Sequence, residues 1–454
     1  MKPVRMCSRM AFYNLSAGIA VFICSWILLA LDVEPFPTWF YCFAWWSYIL
    51  FIDSVIFLRR GNSLILSRTR EFLFLLPVSV FIWLIFECFN LILKNWYYVN
   101  VIEITPLRWI GYSASFATVL PGIFETAEFL ESTSLLRQWR VTPRAFSNGI
   151  HTFIMLAGIT CLMLSAFYPR YCFSLVWCGF VLFLDPVNYR CGAPSFLKYW
   201  ECGELRKPAL LMIAGLLCGI FWEFCNYWAT TKWIYTVPFF DEFKLFEMTG
   251  PGFLGFVPFA LECYVMTSFV YLFRKKLGWE QEMCTRYRQT GVRPVPKFLL
   301  IICCSIFCFS VFKSIDITTV DSYRSFIHDM ETIDKEKRAR LEQCGIVMVN
   351  DLVNLGKSEY RQRAIQQCAA VLPDELGQWI QDAEMVLLKG MGVRNFLLLY
   401  RAGIKNLRLL SSQDSRMLRA ALEQNSLRGN RKALIPEEAK LKVWITAAKK
   451  AVAA

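Results

Sequence analysis

Histidine is nearly absent from this sequence, with two residues, His151 and His328, among 454. A histidine-rich metal centre is therefore excluded, since zinc and related metals are held mainly by imidazole and thiolate groups. The 18 cysteines form no paired Cys-x-x-Cys ladder, and most lie in apolar runs, where free cysteine packs as a small hydrophobic side chain. Cys191 and Cys202 could pair, but they fall in a predicted cytoplasmic loop, where disulfides are uncommon. We expect neither a metal ion nor a cofactor.

Charge is scarce before Lys313, and 56% of the whole chain is hydrophobic. Soluble globular proteins are less apolar and more charged. A helix that crosses a bilayer needs about 20 apolar residues. Runs of that length predict about nine spans, near 11–31, 39–58, 72–93, 108–130, 150–168, 171–186, 209–229, 252–273 and 297–313. The expected fold is an all-α polytopic transmembrane bundle followed by a soluble helical domain.

Basic loops alternate with loops that are poor in Lys and Arg, and Lys and Arg mark the cytoplasmic side of a membrane. The alternation predicts a multi-pass protein of the cell inner membrane with a cytoplasmic N-terminus and a retained first span. The Arg- and Pro-rich stretch 280–297 is a further predicted cytoplasmic loop. With nine spans, the tail lies outside the cytoplasm, and this depends on the span 297–313. The basic clusters are Lys2/Arg5/Arg9, Arg59/Arg60/Arg68/Arg70, Arg137/Arg140/Arg144, Arg190/Lys198/Arg206/Lys207 and Arg274/Lys275/Lys276.

Four patterns occur twice in the same order, which predicts an internal duplication. Glu87 and Glu125 are 38 residues apart, and Glu223 and Glu262 are 39 apart. The paired patterns are Phe51-Ile-Asp53 with Phe183-Leu-Asp185, Glu87 to Asn90 with Glu223 to Asn226, Trp96-Tyr-Tyr98 with Trp233-Ile-Tyr235, and Pro121 to Glu125 with Pro258 to Glu262.

An even number of spans in each copy predicts that the copies run parallel, related by an axis along the membrane normal. The expected domains are an N-terminal anchor helix (1–38), a first repeat (39–170), a second repeat (171–313), a connector (314–333) and a soluble domain (334–454).

Ionisable residues at membrane depth cost at least ~2.5–3.5 kcal/mol and usually face an interior or a cavity. The candidate catalytic residues are Glu87, Glu125, Glu223 and Glu262, as proton donors or acceptors. The candidate substrate-binding residues are Asn90, Asn226, Trp96, Tyr98, Trp233 and Tyr235.

Each of these sets has a simpler interpretation. The Glu and Asn side chains could bond helix to helix, and the aromatic residues could form belts at the span ends. Asp53 and Asp185 could cap a segment or pair with a nearby arginine.

The order of Glu223, Trp233-x-Tyr235, Pro258 and Glu262, matched in the first copy, resembles the membrane-embedded lycopene cyclase domain of carotenoid biosynthesis. Those proteins are tandem repeats that use membrane carboxylates to protonate a polyene. The resemblance implies an isoprenoid ligand. The family has an adjacent Glu-Glu after its Pro and an Asp at the position of Glu223, so a shared scaffold is favoured over a shared reaction.

The tail is also repetitive. Leu341 to Gly345-Ile346 returns as Leu399 to Gly403-Ile404, and Trp379-Ile380 returns as Trp444-Ile445. These motifs resemble a helix-hairpin-helix-like domain of unknown function. Gly390 and Gly392 suit a turn that offers backbone N–H groups to a phosphate. Because the domain lacks a concentrated Lys/Arg stripe, we expect a protein partner or self-association and disfavour nucleic acid.

Three functions remain open at this point. The first is a bundle in the lipid bilayer that binds a lipid or isoprenoid and carries an interaction domain. The second is a membrane enzyme that uses the four glutamates for proton transfer on an isoprenoid. The third is a transporter with a midplane site between the repeats.

Overall fold

The computed structural model covers the whole chain, and the described residues are 2–239, 244–274, 279–280, 296–428 and 435–453. Most of the predicted cytoplasmic loop 280–297 lies outside them. The chain divides into two compact units. Unit 1 comprises Met1–Asn95, Pro106–Thr230 and Val237–Ile317, and unit 2 comprises Trp96–Thr105, Thr231–Thr236 and Thr318–Ala454.

Unit 1 is a bundle of helices with one short hairpin. Its helices are α1 (Lys2–Ala30), α2 (Phe36–Arg60), α3 (Thr69–Leu93), α4 (Thr105–Phe116), α5 (Val119–Glu131), α6 (Asn148–Phe167), α7 (Pro169–Cys172), α8 (Val176–Arg190), α9 (Phe196–Glu201), α10 (Arg206–Trp228), α11 (Phe256–Tyr271) and α12 (Lys297–Thr318). The strands of the molecule are β1 (Trp96–Val99), β2 (Lys232–Tyr235), β3 (Lys244–Leu245) and β4 (Met248–Thr249); β3 and β4 form the hairpin of unit 1.

Eight described helical segments are long and apolar enough to cross a membrane. They correspond to eight of the predicted spans. The segments are Ser8–Ala30, Phe36–Arg60, Thr69–Leu93, Asn148–Phe167, Pro169–Arg190, Arg206–Trp228, Gly250–Tyr271 and Phe298–Thr318.

The predicted span 108–130 contains two helices, α4 and α5, that meet at Ala117 and Thr118. Pro121 is the third residue of α5. Proline has no N–H to donate to the carbonyl four residues earlier, so the helical ladder is interrupted there. Pro258 holds the same third position in α11, which follows a 3₁₀ turn over Gly250–Gly255.

Two pairs of adjacent helices pack closely through a glycine. Helix α1 packs along α2, and α6 packs along α8. A Cβ on Gly18 would collide with the backbone of Ser47 and press on that of Phe51. A Cβ on Gly158 would collide with the backbone of Gly179 and Phe183. Small residues of this kind allow helix backbones to approach in the absence of a hydrophobic driving force.

The centre of unit 1 is aromatic and is built from both halves of the sequence. The ring centroids of Trp45 and Trp222 are 5.1 Å apart, and those of Phe86 and Phe259 are 5.3 Å apart. Aromatic pairs at such distances contribute about 0.5–1.5 kcal/mol each beyond their burial. Helices α2, α3, α5, α10 and α11 meet around this centre.

Unit 2 is a helical domain that includes the two strands from earlier in the chain. Tyr97, Val99 and Ile234 belong to its hydrophobic core, together with the buried Trp379 and Trp444. Its helices are α13 (Lys335–Gln343), α14 (Val349–Gly356), α15 (Glu359–Ala369), α16 (Pro373–Leu387), α17 (Gly392–Arg401), α18 (Leu407–Ser411), α19 (Ser415–Arg428) and α20 (Glu438–Ala453).

The repeated Gly-Ile motifs of the tail form two matching helix ends. Gly345 and Gly403 have φ of +86° and +89°. The N–H of Ile346 donates to the carbonyl of Leu341 at 2.9 Å, and that of Ile404 donates to Leu399 at 3.0 Å. These bonds define a left-handed helix cap that glycine adopts without a steric penalty.

A disulfide joins Cys344 and Cys368 in unit 2. It links the end of α13 to α15. No sequence pattern predicts it, and no disulfide joins Cys191 to Cys202.

Candidate functional site

The four candidate glutamates and both asparagines are buried in unit 1. Glu87, Glu125, Glu223, Glu262 and Asn226 are 0% exposed, and Asn90 is 2% exposed. Buried polar side chains usually require partners, so their contacts decide what each can do.

Two aspartates that precede the candidate residues bind the loops after their own helices. Asp53 accepts hydrogen bonds from Ser63 Oγ at 2.9 Å and from the N–H of Ile65 at 2.7 Å. Asp185 accepts from the N–H groups of Phe196 at 2.6 Å and Leu197 at 2.9 Å. These bonds correspond to the capping interpretation of the two aspartates.

Glu125 on α5 faces Asp53 on α2, and the two buried carboxyl groups are close enough to interact electrostatically. Among the described residues, no hydrogen-bond donor contacts either oxygen of Glu125. Glu128 lies one turn further along α5, and both of its oxygens accept from Arg68 Nη2 at 2.6 Å. Arg68 also donates to the carbonyl of Trp279.

The matching glutamate of the second half has a different partner. Glu262 on α11 accepts a hydrogen bond from the N–H of Phe180 on α8 at 3.0 Å. The carboxyl groups of Asp185 and Glu262 therefore both bind backbone N–H groups, whereas Glu125 faces a second carboxyl group.

Glu87 and Asn90 have local partners at the end of α3. Trp83 Nε1 donates to Glu87 Oε1 at 2.9 Å. The N–H of Asn95 donates to Asn90 Oδ1 at 2.9 Å, which closes the turn after α3. Glu223 and Asn226 lie on α10 beside the central Trp222, and both make further interactions there.

The four candidate aromatic residues lie in one antiparallel ribbon of unit 2. Trp96 pairs with Tyr235, Tyr97 with Ile234, and Tyr98 with Trp233. The ribbon gains a third segment after α12. The N–H of Tyr98 donates to the carbonyl of Thr319 at 2.9 Å, and the N–H of Asp321 donates back to Tyr98 at 2.8 Å.

The Gly390-x-Gly392 turn packs against this ribbon. A Cβ on Gly390 would collide with Val99, and one on Gly392 would collide with Ser322. Both glycines are buried. The turn therefore serves as a packing surface, and a phosphate would have to displace Val99 and Ser322 to reach it.

Asp321 links the ribbon to α20 through an ion pair. Lys440 Nζ donates to Asp321 Oδ1 at 2.8 Å and lies 4.8 Å from the ring centroid of Tyr97. The Asp321 side chain is 5% exposed, so this ion pair is largely shielded from water.

Sequence reasoning missed the residues that complete the surroundings of Glu125. In the sequence, Arg68 indicates only a basic loop, whereas in the structure it donates to both carboxylate oxygens of Glu128. Trp279 stacks on Phe124 with ring centroids 4.5 Å apart. Lys207 pairs with Glu131 and with Glu280. No local sequence pattern joins these residues, because they come from separate loops and helices.

Comparison with known proteins identifies one region. Residues 331–451 match the domain of unknown function DUF4332. The chain matches no curated protein and no solved structure. The resemblance to lycopene cyclase domains and the helix-hairpin-helix resemblance therefore find no support in these comparisons, and an isoprenoid ligand rests on the sequence pattern alone.

Proposed function

We propose that this chain is an integral membrane protein that crosses the bilayer nine times and holds its DUF4332 domain on the non-cytoplasmic side as a protein-interaction domain. The observation that carries the proposal is the pairing of β1 with β2. Paired strands lie on the same side of a membrane, so an even number of crossings must separate them.

Three membrane-length segments, Asn148–Phe167, Pro169–Arg190 and Arg206–Trp228, lie between β1 and β2. The broken pair α4–α5 must then supply a fourth crossing. Its 27 residues, Thr105 to Glu131, extend about 40 Å as a helix, which exceeds the roughly 30 Å of a hydrocarbon core. The break is compatible with membrane depth because Thr118 Oγ1 satisfies the Ser115 carbonyl at 2.6 Å.

The same count supports a position for the tail on the side opposite the N-terminus. Two membrane-length segments separate β2 from the segment at Thr319, which bonds to β1, so this segment lies on the side of the ribbon. Three segments precede β1, so the N-terminus lies on the opposite side. The basic loops favour a cytoplasmic N-terminus. The Cys344–Cys368 disulfide agrees, because disulfides persist in oxidising compartments.

The ribbon register also supports an internal duplication. It is symmetric about Tyr97 and Ile234, as expected for two parallel copies related by an axis along the membrane normal. The helices before the repeated Phe-x-Asp motifs match as well, since Ala17-Gly18-Ile19 and Ala157-Gly158-Ile159 occupy equivalent contacts. We therefore propose copies built from α1–α5 and α6–α11, with α12 as a tether, in place of boundaries at 39–170 and 171–313.

Reporter fusions to the full-length chain test the topology. Alkaline phosphatase fused after Ala454 is expected to be active and green fluorescent protein at the same position dark, because the first needs an oxidising compartment. Matched fusions after Arg140, in the basic loop after α5, are expected to show the reverse. A fluorescent C-terminal fusion with inactive phosphatase would overturn the proposal.

The disulfide gives an independent measurement. Thiol-reactive mass tags are expected to add two units per chain after reduction, and the double variant Cys344→Ser/Cys368→Ser is expected to lose this increment. A non-cytoplasmic domain is also separated from cellular nucleic acid, which agrees with the covered Gly390-x-Gly392 turn.

A second candidate function is binding of a lipid-soluble ligand, with proton transfer to it as the enzymatic form. The observation that favours it is the facing pair of Asp53 and Glu125 on α2 and α5, two of the helices that meet around the aromatic centre of unit 1. Mass spectrometry of lipids extracted from the purified protein tests it. A stoichiometric polyene or quinone supports this function, and bulk membrane lipid alone counts against it.

A further inference from the structure

We propose that Asp53 and Glu125 form an exchangeable proton-binding site in the first half of the bundle, which the second half lacks. This inference deepens the second candidate function by naming its proton donor. It depends on the contacts within unit 1 and not on the side of the DUF4332 domain.

The hydrogen bonds around the pair assign the proton to Glu125. Asp53 already accepts from Ser63 Oγ and the N–H of Ile65, and such donors stabilise a carboxylate. Glu125 has no described partner except Asp53. Two ionised carboxylates facing each other in a buried position repel strongly, so the pair holds one proton between Glu125 and the Asp53 carboxylate.

Neighbouring cations do not replace this proton, because three of them are already paired with a carboxylate and Arg59 binds the hydroxyl and carbonyl of Ser132. Arg68 binds Glu128, Lys207 binds Glu131 and Glu280, and Arg274 binds Glu71. The remaining titratable groups near the pair, Tyr48 of α2 and Cys218 of α10, are neutral when protonated. The pair therefore lacks one compensating positive charge, and a proton supplies that charge.

Glu128 provides the route by which the proton exchanges. It lies three residues after Glu125, so both side chains share one face of α5. Glu125 is 0% exposed, whereas the Glu128 side chain is 17% exposed. A proton that leaves the Glu125 carboxyl group passes to Glu128 or to a water beside it, which leaves both members of the pair ionised until a proton returns.

The second half supplies the matched control. Glu262 accepts from the N–H of Phe180, and Asp185 accepts from two N–H groups, so each carboxyl group has a backbone donor as its partner and not a second carboxyl group. Both halves carry the same residue types, and the facing carboxyl pair distinguishes the first from the second.

Infrared difference spectroscopy of the full-length protein in lipid nanodiscs tests the site. The wild-type protein is expected to show a protonated-carboxyl band that shifts on transfer to D₂O. Glu125→Gln is expected to remove this band, and Glu262→Gln to leave it. A band that persists in Glu125→Gln, or that disappears only in Glu262→Gln, would overturn the proposal.

Two further variants keep the test decisive. If Glu125→Gln does not accumulate, Glu125→Asp retains a carboxyl group and is expected to move the band in frequency; an unmoved band would contradict the assignment. Glu128→Gln is expected to keep the band and slow its deuterium exchange by at least about tenfold, as for a lost relay group. The infrared band reports the proton and the lipid extract reports the ligand, so the two proposals can fail separately.

Discussion

In the first half of the bundle, Glu125 faces Asp53, whereas in the second half Glu262 binds the N–H of Phe180. The two glutamates follow equivalent prolines, and the two aspartates follow equivalent phenylalanines. Their surroundings still differ, because the partner of each glutamate comes from a helix more than 70 residues away. The comparison teaches that repeated sequence motifs can predict matched positions on helices without predicting matched contacts.

Replacement of the aspartates should give the largest difference in stability between the two halves of the bundle. Asp185→Ala leaves two backbone N–H groups without their acceptor, which costs about 2–6 kcal/mol at 1–3 per buried donor. Asp53→Ala leaves one backbone N–H and a hydroxyl without their acceptor, and the hydroxyl can rotate to another, so we expect a smaller loss. Thermal unfolding of the detergent-solubilised variants measures both. Equal losses would mean that the two loops are held in the same way.

The glycines at the helix contacts should give the next largest effect. A Cβ at position 158 would meet the backbone of α8 in three places, whereas one at position 18 meets a single carbonyl closely. We expect Gly158→Ala to cost about 1–3 kcal/mol through overpacking. For Gly18→Ala, the gain in helix propensity of up to about 1 kcal/mol offsets most of the strain.

A control for the glycine variants lies on the same helix as Gly158. Gly149 has open space around it apart from the Ser147 hydroxyl, so Gly149→Ala is expected to raise the melting temperature slightly. A destabilised Gly149→Ala would indicate that α6 tolerates no alanine, and the contact argument would lose its basis.

The glutamates should give the smallest difference in stability. Glu125→Gln replaces a neutral acid with a neutral amide, and we expect a change within about 0.5 kcal/mol. Glu262→Gln keeps an acceptor for the N–H of Phe180 but buries a new NH₂ group, which costs about 1–3 kcal/mol. Urea titrations of the two variants compare their free energies of unfolding. A larger loss for Glu125→Gln would indicate that this side chain is ionised.

Helix positions could be predicted from the sequence because membrane-length apolar runs are a strong local signal. Pro121 predicts a kink or a helix start, and the break between α4 and α5 lies just before it, since proline lacks the N–H that a continuous helix needs. The Ala-Gly-Ile match between α1 and α6 is also present in the sequence, but an alignment on the repeated polar residues leaves α1 outside the repeat.

Other features had no local signal. Each strand of the ribbon is four residues long, and β1 finds its partner more than 130 residues later in the chain. Trp96 and Tyr98 have the composition of a membrane-interface belt, so nothing in their neighbourhood predicted a strand. The spacing of Cys344 and Cys368 matches no diagnostic motif. Asp53 and Glu125 meet only because α2 and α5 pack together.

The core of unit 2 contains Val99 and Ile234, which are translated long before the matched region 331–451. In the proposed topology, this core is completed only after both loops that carry these residues have reached the side of the membrane where the C-terminal helices fold. A helix inserted in the wrong direction would place Val99 or Ile234 on the other side and leave the core incomplete. We therefore expect folding of the C-terminal helices to depend on correct insertion of the helices before them.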